Sequence, residues 1–326
     1  MIDHLGRKID YLRISVTDRC NLRCIYCMPE EGVKLVDRSL ILQEPEIMRI
    51  VRVMAKLGIS KIKLTGGEPL VRKGMASLIH QMKEIPGIEK VTLTTNGILL
   101  KEQMEALAEA GLDGLNISLD SLNEACYQKI ARRNHLNETM EGICEALKYP
   151  EVSLKINCVP LGIPEQNLCE IAELAKKEPI HVRFIEMMPI GYGKEFRGMS
   201  EQEVTGLLQE RFGELVPYEG EQLGNGPCHY YMIDGFCGKI GFISAISHKF
   251  CESCNRIRLT SQGCLKTCLQ YHAGGYLRAV IRSEGTDEDL KRVILEALEK
   301  KPKGHAFLEK APRDDTEKLC MSQIGG

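Results

Sequence analysis

The sequence predicts an α/β protein: an incomplete (β/α)6 barrel followed by a smaller C-terminal domain. From about residue 11 to 213, short β-rich runs alternate with segments whose apolar residues recur at helical spacing. This alternation is typical of parallel strands joined by right-handed crossovers. The alternation stops at a Gly- and Pro-bearing linker over residues 217–228, and short cysteine-rich strands follow it. We therefore expect one domain over residues 1–220 and a second over residues 221–326.

Six strands and their helices account for the first domain. The predicted strands cover residues 11–16, 61–65, 90–95, 114–119, 152–159 and 180–186. The predicted helices cover residues 45–57, 75–84, 101–110, 123–130 with 138–148, 165–176 and 201–212. Six units suit an open or incompletely closed barrel better than a full eight-unit barrel, and a doubly wound sheet is the alternative.

The C-terminal domain is built from shorter elements. Strands are predicted over residues 229–234, 239–244 and 256–260, and a late helix over residues 286–300. Thr286, with Asp289 three residues later, predicts a helix start close to a capping box. The last sixteen residues are expected to form an extended tail.

Composition excludes several classes of protein. The 326 residues are 43% apolar and 27% charged, which rules out intrinsic disorder. A net charge of −2 does not favour a general nucleic-acid or membrane-surface binder. No apolar stretch approaches the roughly 18 residues of a membrane span, and the start of the chain has no apolar leader segment. We expect a cytoplasmic protein with neither membrane nor nucleic acid as a partner.

Fourteen cysteines in a long chain without a signal peptide do not indicate a disulfide scaffold. Cys20, Cys24 and Cys27 form a C-x3-C-x2-C pattern directly after the first strand. Three thiolates on one loop suit an iron–sulfur cubane with one iron left open, because a structural zinc site requires four ligands. A zinc knuckle completed from a distant residue, or chance core cysteines, are the alternatives.

A second set of cysteines follows a C-x2-C-x13-C pattern and comprises Cys251, Cys254 and Cys268. It again provides three thiols, so a second cubane with an open iron is the first interpretation. Cys264 leaves a second interpretation open, because as a fourth ligand, or in place of Cys268, it would give a closed zinc ribbon.

Several motifs together resemble the signature of the radical S-adenosylmethionine (SAM) superfamily. CNLRCIYC holds the first cysteines, TGGEP follows the second strand, TTNG the third, and NISLD lies at the fourth. In that superfamily SAM binds the open iron, and an electron from the reduced cluster cleaves it to a 5′-deoxyadenosyl radical. The resemblance therefore implies a radical SAM barrel with its site at the carboxyl ends of the strands.

The segment FCESCNRIRLT…CLKTCL resembles the GTP 3′,8-cyclase family, and the resemblance extends over nearly the whole chain, including the terminal Gly-Gly. It implies two [4Fe–4S] clusters, SAM, and cyclisation of GTP to (8S)-3′,8-cyclo-7,8-dihydroguanosine 5′-triphosphate, the first step of molybdenum cofactor biosynthesis. It further implies a reductant protein such as a flavodoxin or ferredoxin and a downstream cyclic pyranopterin monophosphate synthase. A homodimer is one arrangement that the resemblance allows.

The resemblance also assigns residues of this chain to roles. The cluster ligands are Cys20, Cys24, Cys27, Cys251, Cys254 and Cys268. SAM would be bound by Tyr26, Gly67, Ser118 and Met188. GTP would be bound by Arg13, Lys63, Thr94, Lys155, Arg256 and Arg258. The catalytic residues would be Arg256, Arg258, Gly325 and Gly326.

Three features depart from the family or remain outside it. Lys63 stands where the family more often has Arg, which weakens a bidentate phosphate contact there. Cys264 and Cys320 add thiols near the proposed site. The alternative functions are a peptide-modifying radical SAM enzyme with an auxiliary cluster and, in a different class, a zinc-stabilised binding module.

Overall fold

The computed structural model describes residues 1–272, 274–309 and 316–325. Within this part of the chain, twelve strands form one mixed sheet. They are β1 (Tyr11–Ser15), β2 (Lys61–Thr65), β3 (Lys90–Thr95), β4 (Gly114–Ser118), β5 (Ser153–Cys158), β6 (His181–Ile185), β7 (Val216–Pro217), β8 (His229–Met232), β9 (Ile240–Ile243), β10 (Arg256–Leu259), β11 (Cys264–Lys266) and β12 (Gly274–Tyr276). Their order in the sheet is β12-β11-β10-β1-β2-β3-β4-β5-β6-β9-β8-β7.

The first six strands lie side by side in chain order, and every neighbouring pair among them is parallel. Helices connect them, so their carboxyl ends share one edge of the sheet. The predicted α/β fold with six β/α units is confirmed.

The helices match the predicted helical segments, with two unpredicted short ones near the C-terminal end. They are α1 (Glu44–Lys56), α2 (Met75–Lys83), α3 (Leu100–Glu109), α4 (Glu124–Ala131), α5 (Leu136–Ala146), α6 (Leu168–Lys177), α7 (Glu201–Phe212), α8 (Leu277–Arg282), α9 (Asp287–Glu299) and α10 (Met321–Ile324). The predicted capping box at α9 is present, because Thr286 and Asp289 each accept the other's backbone N–H through their side chains. None of the described helices is both long and apolar enough to cross a bilayer.

The C-terminal strands extend both edges of the six-stranded sheet. β10 pairs with β1 and β9 pairs with β6, both in parallel. Each addition covers an edge whose backbone N–H and C=O groups would otherwise be unpaired. The sequence did not predict β7, β11 or β12, which are two or three residues long. The division into domains at residue 221 stays a prediction.

The central strands have one apolar and one polar face. On β1 and β2, the alternate residues Leu12, Ile14, Ile62 and Leu64 are buried in the hydrophobic core. The residues between them point to the opposite face, because successive side chains in a strand alternate. On that inner face the strands carry Arg and Lys, Thr, Asn and Ser side chains, and these residues form the wall of a cavity.

Candidate active site

The cavity lies against the inner face and the carboxyl ends of the strands, and its volume is about 360 Å³, within the range of small-molecule sites. Both predicted cysteine sets line it. The lining cysteines are Cys20, Cys24, Cys27, Cys251, Cys254 and Cys268, together with Cys228. Two cysteine loops far apart in the sequence therefore face one space.

The first cysteine loop is wrapped against the end of α4. The Cys27 backbone N–H donates to the Cys24 carbonyl at 2.9 Å, and the Ile25 N–H donates to the Ile130 carbonyl at 2.9 Å. Burial raises the pKa of the Cys20 thiol to about 11 and that of Cys27 to about 12. Burial, and then the neighbouring Cys27, raise the pKa of Cys24 as well. As free thiols these groups stay protonated, and only a bound cation would hold them as thiolates.

The second cysteine set has a more cationic environment. Burial raises the pKa of Cys268. At Cys254 burial also acts to raise the pKa, but Lys301 and Arg256 outweigh it and lower the value to about 7. The Lys301 ammonium lies 3.5 Å from the Cys254 sulfur and also donates to the Arg256 carbonyl at 2.9 Å.

These six thiols fit two cubane clusters in their chemistry. None of them is in a disulfide, and each set contributes three soft ligands to one side of the cavity. Among the described residues, no group of three His, Cys, Asp or Glu side chains is arranged to hold a single metal ion. A cubane makes a different demand, because each of its thiolates binds a different iron. Cys264, on β11, is not among the residues that line the cavity.

The glycine motif after β2 packs directly onto the first cysteine loop. The Gly67 N–H donates to the Thr17 carbonyl at 2.8 Å, and the Glu68 N–H donates to the Arg19 carbonyl at 2.7 Å. A Cβ at Gly67 would collide with the Arg19 carbonyl, so this contact requires glycine. The motif thus holds the loop that carries Cys20.

The Glu68 carboxylate is engaged within the protein. It accepts from the Thr95 hydroxyl and the Asn96 N–H, both at 2.7 Å, and from the Leu70 N–H at 3.0 Å. Burial nevertheless raises the pKa of Glu68 to about 7. This carboxylate joins the ends of β2 and β3 beside the cavity.

The four residues predicted to bind SAM all line the cavity. They are Tyr26, Gly67, Ser118 and Met188. The Tyr26 hydroxyl donates to the Asp120 carboxylate at 2.7 Å, and the same carboxylate accepts from the Val159 N–H at 2.8 Å. Burial raises the pKa of Asp120 to about 6.

A row of cations crosses the inner face of the sheet. Arg13 on β1 lies in register with Lys63 on β2 and with Arg258 on β10. Like charges opposite each other on neighbouring strands are destabilising, and burial adds to that cost. Burial lowers the pKa of Lys63 well below its usual value, and nearby Arg183 and Arg13 lower it further. Burial also lowers the pKa of Arg258, followed by the effects of Arg13 and Arg256.

Three further cations line the cavity that the sequence analysis did not assign to the site, namely Arg7, Arg183 and Lys301. Arg183 on β6 lines the cavity, and its guanidinium donates to the Asn157 side chain at 2.9 Å and to the Asn116 side chain. The signal for it is an Arg in the middle of an otherwise apolar strand. A strand of a parallel sheet is usually buried on both faces, so a charged side chain in its middle indicates that one face lines a site.

Of the remaining residues predicted to bind GTP or to act in catalysis, some line the cavity and one does not. Thr94 and Arg256 line the cavity, and the Arg256 guanidinium lies 4.9 Å from the centre of the Phe250 ring. Lys155 is not among the lining residues. It is on the inner face of β5, two residues before the lining residue Asn157, and its ammonium donates to the Ser153 hydroxyl at 2.6 Å.

The predicted catalytic tail reaches this region. The Gly325 carbonyl accepts a hydrogen bond from the Arg258 guanidinium at 2.7 Å. Gly325 has a φ of 78°, and a Cβ there would lie 2.9 Å from that of Ser15 and 3.0 Å from the Thr65 hydroxyl. Gly326 lies outside the described residues.

Comparison with known proteins agrees with this site. Residues 14–177 match the Radical SAM superfamily, and residues 180–307 match Molybdenum Cofactor Synthesis C. The chain is 44% identical over 328 residues to a GTP 3′,8-cyclase of Clostridium perfringens (strain SM101 / Type A), with all of both chains covered. The chain belongs to the GTP 3′,8-cyclase family. A second member of this family, from Petrotoga mobilis, is 44% identical over 333 residues, again with both chains fully covered.

A solved structure supports the fold of this GTP 3′,8-cyclase family member. The crystal structure of Streptococcus suis SuiB superposes with a TM-score of 0.65 at 14% identity. The match covers 90% of this chain and 66% of SuiB. At this identity the comparison shows a shared fold alone.

Proposed function

We propose that this enzyme cyclises GTP to (8S)-3′,8-cyclo-7,8-dihydroguanosine 5′-triphosphate, the first step of molybdenum cofactor biosynthesis. The observation that carries the proposal is one cavity lined by two sets of three cysteines. The same cavity is lined by the buried cations Arg13, Lys63 and Arg258, which lie side by side on neighbouring strands. A polyanion such as a triphosphate would offset the mutual repulsion of these cations.

Cys20, Cys24 and Cys27 on the first cysteine loop would hold one [4Fe–4S] cluster as its ligands. When this cluster is bound and reduced, it supplies the electron that cleaves SAM to methionine and the 5′-deoxyadenosyl radical. Tyr26, Gly67, Ser118 and Met188 are proposed to hold SAM beside it, because all four line the cavity. Their task is to orient SAM and to exclude water from the reacting carbon.

The second cysteine set and the row of cations are proposed to hold GTP. Cys251, Cys254 and Cys268 would bind the second cluster, which offers an open iron to the guanine. The proposed contacts to GTP are Arg13, Lys63, Thr94, Lys155, Arg256 and Arg258. Arg183 joins them, because its guanidinium lines the same cavity.

Arg256, Arg258, Gly325 and Gly326 are the proposed catalytic residues. Arg258 connects two parts of the site, since it lies in the row of cations and also binds the Gly325 carbonyl. Glycine at the end of the tail allows the backbone to approach Ser15 and Thr65, where a side chain would collide. The tail would thus position Arg258 relative to GTP.

We further propose a setting for the reaction. A flavodoxin or ferredoxin would supply electrons, and a cyclic pyranopterin monophosphate synthase would consume the product. The enzyme would act in the cytoplasm, with the homodimer as its proposed assembly. The division into a barrel over residues 1–220 and a C-terminal unit over residues 221–326 belongs to the same proposal.

The decisive experiment is anaerobic reconstitution of the chain with iron and sulfide, followed by addition of GTP, SAM and a reductant. We expect about eight iron atoms per chain, as two cubanes require, and GTP-dependent formation of the cyclic nucleotide with 5′-deoxyadenosine. Mass spectrometry and chemical iron analysis measure both. A chain that carries zinc in place of the second cluster, or that cleaves SAM without converting GTP, would contradict the proposal.

A further inference from the structure

The described part of the C-terminal tail, residues 316–325, is held near both of its ends by neighbouring strands. Near its start, the Glu317 carboxylate pairs with the Lys266 ammonium on β11. Near its end, the Gly325 carbonyl accepts from Arg258 on β10 at 2.7 Å. Arg258 and Lys266 are direct partners in the antiparallel β10–β11 ladder, so their side chains leave the same face of the sheet.

The contact at Glu317 is a fully formed buried network. The side chains of Lys266 and Glu317 are only 1% and 2% exposed. The Lys266 ammonium also donates to the Tyr271 carbonyl at 2.6 Å, and Glu317 accepts the backbone N–H groups of Lys318 and Leu319, both at 2.9 Å. Burying two charges is costly, so such a pair adds little stability, and its best-attested use is to set a register.

The chain between the two contacts follows a defined path into the cavity. Gly191 approaches the tail so closely that a Cβ there would lie 3.2 Å from the Cys320 Cα. Met321 and Ser322, in the short helix α10, line the cavity. The chain from Glu317 to Gly325 thus runs along the wall of the cavity.

We propose that Lys266 and Glu317 are positioning residues, which hold the start of the tail so that Gly325 meets Arg258. This rests on the proposed function, because it assigns the tail a part in GTP conversion. Backbone contacts with residues 270 and 271 also hold residues 316 and 317, so loss of the ion pair would loosen the tail without releasing it, and Arg258 would bind the Gly325 carbonyl less of the time. A small displacement of a group that orients substrate reduces turnover strongly.

The test compares Glu317→Gln with Glu288→Gln in the cluster-loaded enzyme. Glu288 forms an exposed ion pair with Lys291 on α9, so its loss controls for removal of a charge alone. For Glu317→Gln we expect amide exchange over residues 316–325 to accelerate by at least about tenfold. We expect kcat for GTP to fall on the order of 10- to 100-fold, with KM for GTP and uncoupled SAM cleavage nearly unchanged. Glu288→Gln should leave all four quantities unaltered.

A second variant, Lys266→Met with Glu317→Gln, covers the case in which the unpaired Lys266 charge unfolds the protein. It removes both charges but keeps an amide oxygen for the Lys318 and Leu319 N–H groups, so the fold should persist. Unchanged amide exchange in the tail of this variant would show that the ion pair between Lys266 and Glu317 does not hold the tail. Faster amide exchange together with the wild-type kcat would show that holding the tail does not matter for GTP conversion. The proposed function fails separately, because wild-type enzyme would then convert no GTP whatever the exchange rates are.

Discussion

At the scale of single residues, the inner face of the sheet carries buried like charges that lower the stability of the empty enzyme and suit the binding of an anion. Arg13, Lys63 and Arg258 are aligned on adjacent strands. After burial, the groups that lower the Lys63 pKa are all cations. Lys61, two residues earlier on the same strand, is instead paired with Asp10 at 3.1 Å. Binding sites commonly retain such unfavourable charges because the ligand offsets them.

Lys63→Met should therefore stabilise the nucleotide-free enzyme by about 1 kcal/mol, because it removes like-charge repulsion across strands. The same change should raise KM for GTP roughly tenfold, the effect of losing about 1.4 kcal/mol of binding. Denaturant unfolding and steady-state kinetics measure the two effects. Lys61→Met is the matched control and should not stabilise. Destabilisation by Lys63→Met, or an unaltered KM, would refute the role of this cation.

We expect Lys155 to make GTP binding dependent on pH. Burial, followed by the repulsion of Arg183, lowers the pKa of Lys155 to about 7. At pH 8 the free enzyme holds this lysine mostly neutral, whereas a bound triphosphate favours the ammonium and raises the pKa. Binding should therefore take up a proton at pH 8, and GTP affinity should fall as the pH rises above about 7.

Calorimetry of GTP binding at pH 8, in buffers with different ionisation enthalpies, measures this proton uptake. Lys155→Met should reduce it, whereas Lys148→Met, at an exposed lysine paired with Glu145, should not. Equal uptake by the Lys155→Met variant and wild type would show that Lys155 does not face the triphosphate.

At the scale of elements, the loop after β1 and the turn after β2 act as one unit. Backbone hydrogen bonds from Gly67 and Glu68 hold the cysteine loop at Thr17 and Arg19. The sequence places both motifs after neighbouring strands, so parallel pairing brings them to the same edge of the sheet. Their contact follows from that pairing and from the absence of a side chain at Gly67.

Gly67→Ala should disrupt the first cluster, because the new Cβ would collide with the Arg19 carbonyl in the cysteine loop. We expect iron to fall from about eight to about four atoms per chain, with SAM cleavage lost and the second cluster retained. Iron analysis and 5′-deoxyadenosine assays report this. Gly206→Ala on α7, where nothing lies within 4 Å, is the control. Full iron loading with normal SAM cleavage in Gly67→Ala would contradict this steric account.

At the scale of the whole molecule, the sheet brings two cysteine sets to one cavity. The first set follows β1. In the second set, Cys251 and Cys254 precede β10, which is the neighbour of β1, and Cys268 follows β11. The C-terminal segment therefore completes the site by pairing with the strand that begins the barrel. Under the proposed function, the arrangement would separate two tasks, cleavage of SAM beside the first cysteine set and binding of GTP beside the second.

This division predicts opposite partial activities for two variants. Cys24→Ser should abolish reductive SAM cleavage, because the first cluster loses a ligand. Cys254→Ser should retain uncoupled cleavage of SAM and lose conversion of GTP. Assays of 5′-deoxyadenosine and of the cyclic nucleotide distinguish the two. Equal loss of SAM cleavage in both variants would remove the proposed division of labour.

Several properties of this protein can be read along the chain, because they depend on short spacings. Strand and helix positions follow from local periodicity, and both cysteine sets from intervals of two to thirteen residues. The motif order was enough to predict the family, the barrel and the six thiols at the cavity. Tyr26, Gly67 and Ser118 lie in the same motifs, and all three line the cavity.

Only the tertiary structure reveals the contacts that depend on which strands become neighbours. The insertion of β10 beside β1 puts Arg258 opposite Arg13, and the return of the tail pairs Glu317 with Lys266. Arg183 and the recessed position of Lys155 likewise depend on where the inner face opens into the cavity. Pairing between residues about 245 positions apart, as at Asp10 and Asn255, leaves no local pattern, because its energy arises only when the chain has folded.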